Sequence, residues 1–180
     1  MTTEYDFTKL TSEKLGQLTE CWNADIQSNV QEELIDVAED SYDRLFTWMR
    51  KCIETENPYD HGFFVLQRAS DSHSLVVVDM ADATRSRDPS FKLLNVYFSP
   101  GLNIEYKEDY SDDEILGITK SLGVALGKAT SHAFTNNSKF KMYCRTPEVA
   151  KLFDTMLTLS RPESFSVKAH ARWLVIEPVK

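Results

Sequence analysis

The segment Ser74–Met80 contains Leu75-Val76-Val77-Val78, four apolar residues in unbroken succession. A strand with one wet face alternates apolar and polar residues, whereas a continuous β-branched run has no wet face. Such a strand needs an apolar layer on each side. It predicts the centre of an α/β sheet, and the rest of the chain must supply neighbouring strands and covering helices.

The chain supplies both. Tyr5–Leu10 alternates roughly and reads as a first strand. Thr11 or Ser12 then caps a helix carrying Leu15, Leu18, Trp22 and Ile26 on one face. A second helix is predicted from about Glu33 to Thr55, with Tyr42, Leu45, Phe46, Met49, Cys52 and Ile53 at helical spacing. Trp48 falls off that stripe and is expected to be exposed. Asn57-Pro58 ends the helix, because the proline ring disfavours helical geometry in the residue before it. His61–Arg68, Ser74–Met80 and Phe91–Ser99 read as three strands in series, the last closed by Pro100-Gly101.

Ser111-Asp112-Asp113-Glu114 fits a capping box, in which the serine hydroxyl and the glutamate side chain each satisfy a free amide of the first turn. The helix it opens is predicted to run to about Phe134, burying Ile115, Ile118, Leu122, Ala125, Ala129 and Ala133. Gly123 and Gly127, four apart, are expected to pack closely on the sheet. Phe140, Met142 and Cys144 alternate with Lys139, Lys141 and Tyr143, as in a strand with one wet face. Thr146 and Pro147 open a further helix, which would bury Val149, Ala150, Phe153 and Met156 or Leu157. Two strands, Phe165–Ala169 and Arg172–Glu177, close the chain. The order is β-α-α-β-β-β-α-β-α-β-β.

With 180 residues, no internal repeat and no Gly/Ser linker, residues 1–180 are expected to form one domain. The polar, acidic N-terminus is unlike a signal peptide, and no apolar run approaches the ~20 residues of a membrane span. A soluble, cytoplasmic protein is expected. The net charge of -8 is unevenly spread. Residues 1–114 carry 10 Lys+Arg against 24 Asp+Glu, net -14, and residues 115–180 carry 10 against 4, net +6. An acidic chain does not coat duplex nucleic acid, so nucleic acid is not an expected partner. The opposed halves either attract each other within the fold or favour an acidic partner or self-association. Cys21, Cys52 and Cys144 have no metal-type spacing and read as buried free thiols in a reducing compartment. His61, His73, His132 and His170 form no HxxxH or HExxH, so no metal is expected. The chain also lacks a GxSxG elbow, a GxGxxG fingerprint and a Walker loop.

The element order resembles the GNAT acyltransferase fold over nearly the whole chain. Leu93-Leu94-Asn95-Val96-Tyr97-Phe98-Ser99-Pro100 resembles the family's fourth strand, which lines its acyl-CoA cleft. Ile115–Phe134 resembles the cofactor helix, and Lys141–Cys144 with Thr146–Leu157 resembles the fifth strand and the helix after it. The resemblance implies an α/β (α+β) fold with a mixed, mostly antiparallel sheet of about six to seven strands and about four flanking helices. It also implies acetyl-CoA as the acyl donor, with Val96, Tyr97 and Phe98 contacting it and Lys120 as an auxiliary phosphate contact. An amine-bearing small molecule or protein would be the acceptor. Candidate general bases near the fourth strand are Asp79, Asn95 and Glu105, with Glu105 or Asp79 preferred, and Tyr143 would be a substitute acid.

Two departures from the family pattern matter. The family carries Q/R-x-x-G-x-G/A before its cofactor helix, where glycines let backbone amides approach a pyrophosphate. Here residues 103–114 hold no glycine but hold Glu105, Glu108, Asp109, Asp112, Asp113 and Glu114. These stabilise a helix N-terminus and repel a diphosphate by the same sign. The tyrosine that often protonates the leaving thiolate falls at Phe153, which has no proton to give. The expectation is a divergent member with weak or lost activity. The alternative is a non-catalytic binding or assembly module.

Overall fold

A computed structural model describes residues 4–55, 61–106, 109–144 and 165–179. The chain enters through β1 (Tyr5–Lys9) and passes into α1 (Ser12–Asn29) and α2 (Ile35–Glu54). Three strands follow, β2 (His61–Arg68), β3 (Ser74–Asp82) and β4 (Ser90–Phe98). Then come α3 (Asp112–Thr135) and β5 (Lys139–Tyr143), and finally β6 (Phe165–His170) and β7 (Trp173–Pro178). The helix expected at Thr146–Leu157, with Phe153, lies outside the described residues. The strands form one seven-stranded sheet in the order β1-β2-β3-β4-β5-β7-β6. Every neighbouring pair is antiparallel except β4 with β5, which is parallel. This is the mixed, mostly antiparallel sheet that the resemblance implies.

The apolar run of β3 is buried on both faces. Val76 and Val78 pack with Phe64, Leu66, Phe91, Leu93, Phe140 and the alanine stripe Ala125, Ala129 and Ala133 of α3. Val77 points the other way, into a core with Phe63, Val65 and the helical residues Leu15, Leu18, Trp22, Ile26, Tyr42, Phe46 and Met49. Trp22 is fully enclosed there, and its indole N–H donates to the Ser74 carbonyl at 2.7 Å. That bond settles the one polar atom of the largest buried side chain.

Local signals set the helix ends. The Thr11 hydroxyl accepts from the Lys14 amide, so Thr11 is the N-cap of α1. Both arms of the Ser111–Glu114 capping box are present at α3. Three expectations are corrected. Trp48 is not exposed: its ring meets Phe63 edge-on at 5.1 Å and Tyr97 at 6.3 Å, because a long side chain on a helix flank still reaches the sheet. Ile115 is 52% exposed, so the buried face of α3 starts later, at Ser121. Gly123 and Gly127 do not make close contacts, since a Cβ added to either would meet nothing within 4 Å. The alanines, not the glycines, bring α3 down onto the sheet.

Candidate functional site

The pairing of β4 changes along its length. Its first half, Ser90 to Leu93, pairs with β5 from Lys139 to Met142. On the other side, Asp79 of β3 faces Asn95 while Met80 faces Leu93, so Leu94 is an extra residue on β4. An inserted residue of this kind bends and twists its strand. The bulge falls where the parallel pairing ends, so β4 and β5 part after Leu93 and residues 95–98 keep pairing with β3 alone. The sheet thus opens within β4, two residues before Val96.

Two of the backbone groups on that open edge have partners of their own. The Ser99 amide donates to the Leu75 carbonyl at 2.9 Å, so the amides of Tyr97 and Ser99 face β3, and those of Val96 and Phe98 face away. The Val96 amide donates to the side-chain oxygen of its neighbour Asn95 at 2.9 Å. The Phe98 carbonyl accepts from the Tyr42 hydroxyl at 2.8 Å, and that hydroxyl accepts from the Asn103 side-chain amide at 3.2 Å. Burial pushes the Tyr42 hydroxyl far above the ordinary tyrosine range, so it stays protonated and stays a donor.

Beside this edge lies a pocket of about 370 Å³. Its walls are Ser41, Tyr42 and Leu45 of α2, residues 95–98 of β4, and Asn103, Glu105 and Tyr106 from the connection that follows. That connection is tied down at both ends. The Gly101 amide donates to the buried carboxylate of Asp25 at 2.9 Å, and Asp25 also accepts from Asn29 at 2.6 Å. A Cβ at position 101 would sit 3.0 Å from the same carboxylate and 3.1 Å from the Asn29 Cβ, so any larger residue would need these neighbours to shift. Further on, the Tyr110 hydroxyl donates to the Asn103 carbonyl at 2.8 Å, and the Tyr106 ring packs 5.9 Å from that of Tyr42.

The mouth of α3 is closed by its own residues. The Glu114 carboxylate accepts from the Ser111 amide at 2.9 Å and from the Ser111 hydroxyl at 2.7 Å, and that hydroxyl accepts from the Glu114 amide at 3.3 Å. Asp112 and Asp113 add two more carboxylates to the first turn.

The fold brings together Val96, Tyr97, Phe98 and Glu105 of the residues singled out from the sequence, all in the pocket wall. Tyr97 shares its face with Asp79, and burial, with the Asp79 charge adding to it, raises the Tyr97 hydroxyl above its ordinary pKa. Asp79 itself is 2% exposed and lies across from Asn95, outside the lining. Tyr143 stands at the end of β5, its ring 5.2 Å from Trp173 and its hydroxyl accepting from Arg172 at 3.2 Å. Lys120 is not in the lining either: its ammonium pairs with Glu4 at 2.8 Å and lies over the Tyr5 ring. Among the wall residues not foreseen are Tyr42 and Asn103, which bond to each other. Tyr42 belongs to the apolar stripe of α2, and nothing in a helical period distinguishes its hydroxyl as part of a site. Asn103 sits in a segment whose charges draw attention away from it. Among the described residues no group of three or more His, Cys, Asp or Glu could hold a metal ion, and no helix is long and apolar enough to cross a membrane.

No protein-family profile matches the chain, and no curated protein does. Solved structures do. Apo FdhC, described as a nucleotide-linked sugar GNAT, is 14% identical over 97% of this chain and 86% of its own, with a TM-score of 0.41. Mutant forms of the spermidine/spermine N-acetyltransferase SpeG from Vibrio cholerae are 16% identical over 97% of this chain and 93% of their own, with a TM-score of 0.45. The ribosomal-protein-S5-alanine acetyltransferase from Vibrio fischeri is 12% identical over 98% of this chain and 92% of its own, with a TM-score of 0.42. The element order and the sheet, opened beside β4, define a GNAT-like α/β architecture. With every TM-score below 0.5, the functional reading rests on the chain's own contacts.

Proposed function

We propose that this is a GNAT-like protein whose acyl-CoA-dependent N-acyltransferase activity is weak or lost. The observation that carries the reading is the closed mouth of α3. An acyl-CoA arm would need amides at that helix end for its diphosphate and free backbone groups on the β4 edge for its pantetheine. The described residues fit it at neither place. The Ser111–Glu114 box occupies the mouth and adds negative charge, and on the edge the Val96 amide and Phe98 carbonyl are bonded to Asn95 and Tyr42. Should transfer persist, Val96, Tyr97 and Phe98 are the contacts and Glu105 is the base nearest to hand, with Asp79 behind it. Lys120 and Tyr143 are less suited, being engaged by Glu4 and Arg172.

Calorimetry and thermal shift with acetyl-CoA at high protein concentration test this. The expected result is no saturable heat and no rise in melting temperature at millimolar ligand. Saturable binding in the micromolar range, with acetyl transfer to a polyamine or a peptide amine, would overturn it.

A second reading, a non-catalytic binding module, is favoured by the open pocket between α2 and the β4 edge. Glu105 on its wall suits an amine-bearing ligand. The opposed charge of the two halves supports this reading less, because part of it is spent inside the fold: Lys120 pairs with Glu4, and Lys139 and Lys141 both pair with Asp88. Solution mass measured against salt addresses self-association; a monomer at all salt concentrations would remove it.

A further inference from the structure

Away from the β4 pocket, α1 and the β2–β3 turn bring a thiol and an imidazole together. Cys21 Sγ lies 3.6 Å from His73 Nδ1, within hydrogen-bond reach for sulfur. Both side chains are half-buried, so the pair borders solvent. The turn is built to hold the ring there. Asp71 accepts from the His73 amide at 3.0 Å and from Arg68 at 2.8 Å, and Ser72 takes a left-handed φ of 57°. A non-glycine residue pays roughly 1 kcal/mol or more for that conformation. Next to it, the Trp22 indole is bonded to the Ser74 carbonyl, which fixes α1 against the start of β3.

We propose that Cys21 and His73 form a thiolate–imidazolium pair that makes Cys21 a site of mixed-disulfide formation with low-molecular-weight disulfides. The thiol proton passes to His73 Nδ1. The thiolate attacks one sulfur of the disulfide, the new S–S bond forms as the old one breaks, and the departing thiolate takes the proton from the imidazolium. The surroundings fit these roles. The His73 hydrogen bond and then the Ser74 backbone amide pull the Cys21 thiol below its ordinary pKa, with burial and Asp25 opposing them. The Cys21 hydrogen bond raises His73, Asp25 adds to that, and burial and Arg68 oppose it. The chain carries its own controls, since burial pushes the Cys52 and Cys144 thiols up.

The test treats the full chain with oxidised glutathione, and separately with iodoacetamide, across the neutral to alkaline range, and quantifies each cysteine by peptide mass spectrometry. An ordinary thiol is only about 3% thiolate at pH 7. Cys21 is expected to react at least roughly fivefold faster than Cys52 or Cys144 at that pH, with its rate profile displaced to lower pH. His73→Ala is expected to remove most of the advantage while the fold, followed by circular dichroism, persists. Should that variant unfold, the wild-type profiles decide alone. A Cys21 profile no lower in pH than that of Cys52, or an unchanged Cys21 rate in folded His73→Ala, overturns the proposal.

Discussion

Replacing Tyr42 by phenylalanine removes one hydroxyl and leaves its packing in place. The ring is 4% exposed, stands edge-on to Trp22 at 5.3 Å, and touches Phe46 and Tyr106 at 6.2 and 5.9 Å. Those contacts survive in phenylalanine. What is lost is the donor to the Phe98 carbonyl and the acceptor for Asn103. A neutral hydrogen bond contributes about 0.5–1.5 kcal/mol net, and a partner left unpaired in a buried place costs about 1–3 kcal/mol. Phe98 and Asn103 line a pocket that water can enter, so the lower part of that range applies, about 1–2 kcal/mol. For a chain of this size each kcal/mol moves the melting temperature by about 2–4 °C, which gives a fall of about 2–8 °C. Urea unfolding should show a lower midpoint at an unchanged slope. The loss should not vary with pH between about 5 and 9, because burial keeps this hydroxyl protonated throughout. Pairing Tyr42→Phe with Asn103→Ala should give a total below the sum of the two, since they share one bond. A loss under about 0.3 kcal/mol, or strict additivity, would refute the idea that Tyr42 closes the β4 edge.

Two further outcomes follow from the helices. Ser111→Ala should cost about 1 kcal/mol, the usual loss for an N-cap, and lower the melting temperature by about 2–4 °C; no change would mean the box is not formed in solution. His132 lies 4.7 Å from the Phe64 ring and 5.1 Å from that of Phe91, and burial there lowers its pKa, with Asp82 opposing and Lys9 adding. The fold therefore favours neutral imidazole. Its contribution is full above the ordinary histidine pKa of about 6.5 and is lost as pH falls, because the unfolded chain gains a proton that the fold resists. Between about pH 7.5 and pH 5.5 the wild type should lose more stability than His132→Asn in urea melts, and equal losses would contradict this.

The layered sheet was legible because its signals are local and strong. A run such as Leu75–Val78 can be satisfied only between two apolar layers, and the Ser111–Glu114 box is written in four consecutive residues. The site was less legible because it depends on contacts between distant segments. Tyr42 and Phe98 are 56 residues apart, and no pattern in either segment announces their bond. The bulge at Leu94 is also silent in the sequence, since Leu93-Leu94 reads equally well as regular strand. Lys120 shows the converse error. It lies on the helix that resembles a cofactor helix, yet its charge faces Glu4 at the start of the chain. Position along an element says little about which of several carboxylates a long, exposed side chain will meet.

On the proposed reading, the capped mouth of α3 links helix stability to poor phosphate binding. A helix N-terminus with free amides is an unsatisfied structure, and a bound phosphate is one way to satisfy it. In this chain the Glu114 carboxylate and the Ser111 hydroxyl supply hydrogen-bond partners for two of the amides, and Asp112 and Asp113 supply further negative charge, each exposed carboxylate contributing about 0.3–1 kcal/mol. A ligand would have to displace the Glu114 carboxylate and then sit among its like charges. Building a phosphate site here would therefore take more than glycines. A change that removes Glu114 and the neighbouring aspartates would first destabilise α3, and α3 carries the alanine stripe that covers one face of β3. The residues that cap the helix without a ligand are thus the ones a phosphate-binding variant would have to give up.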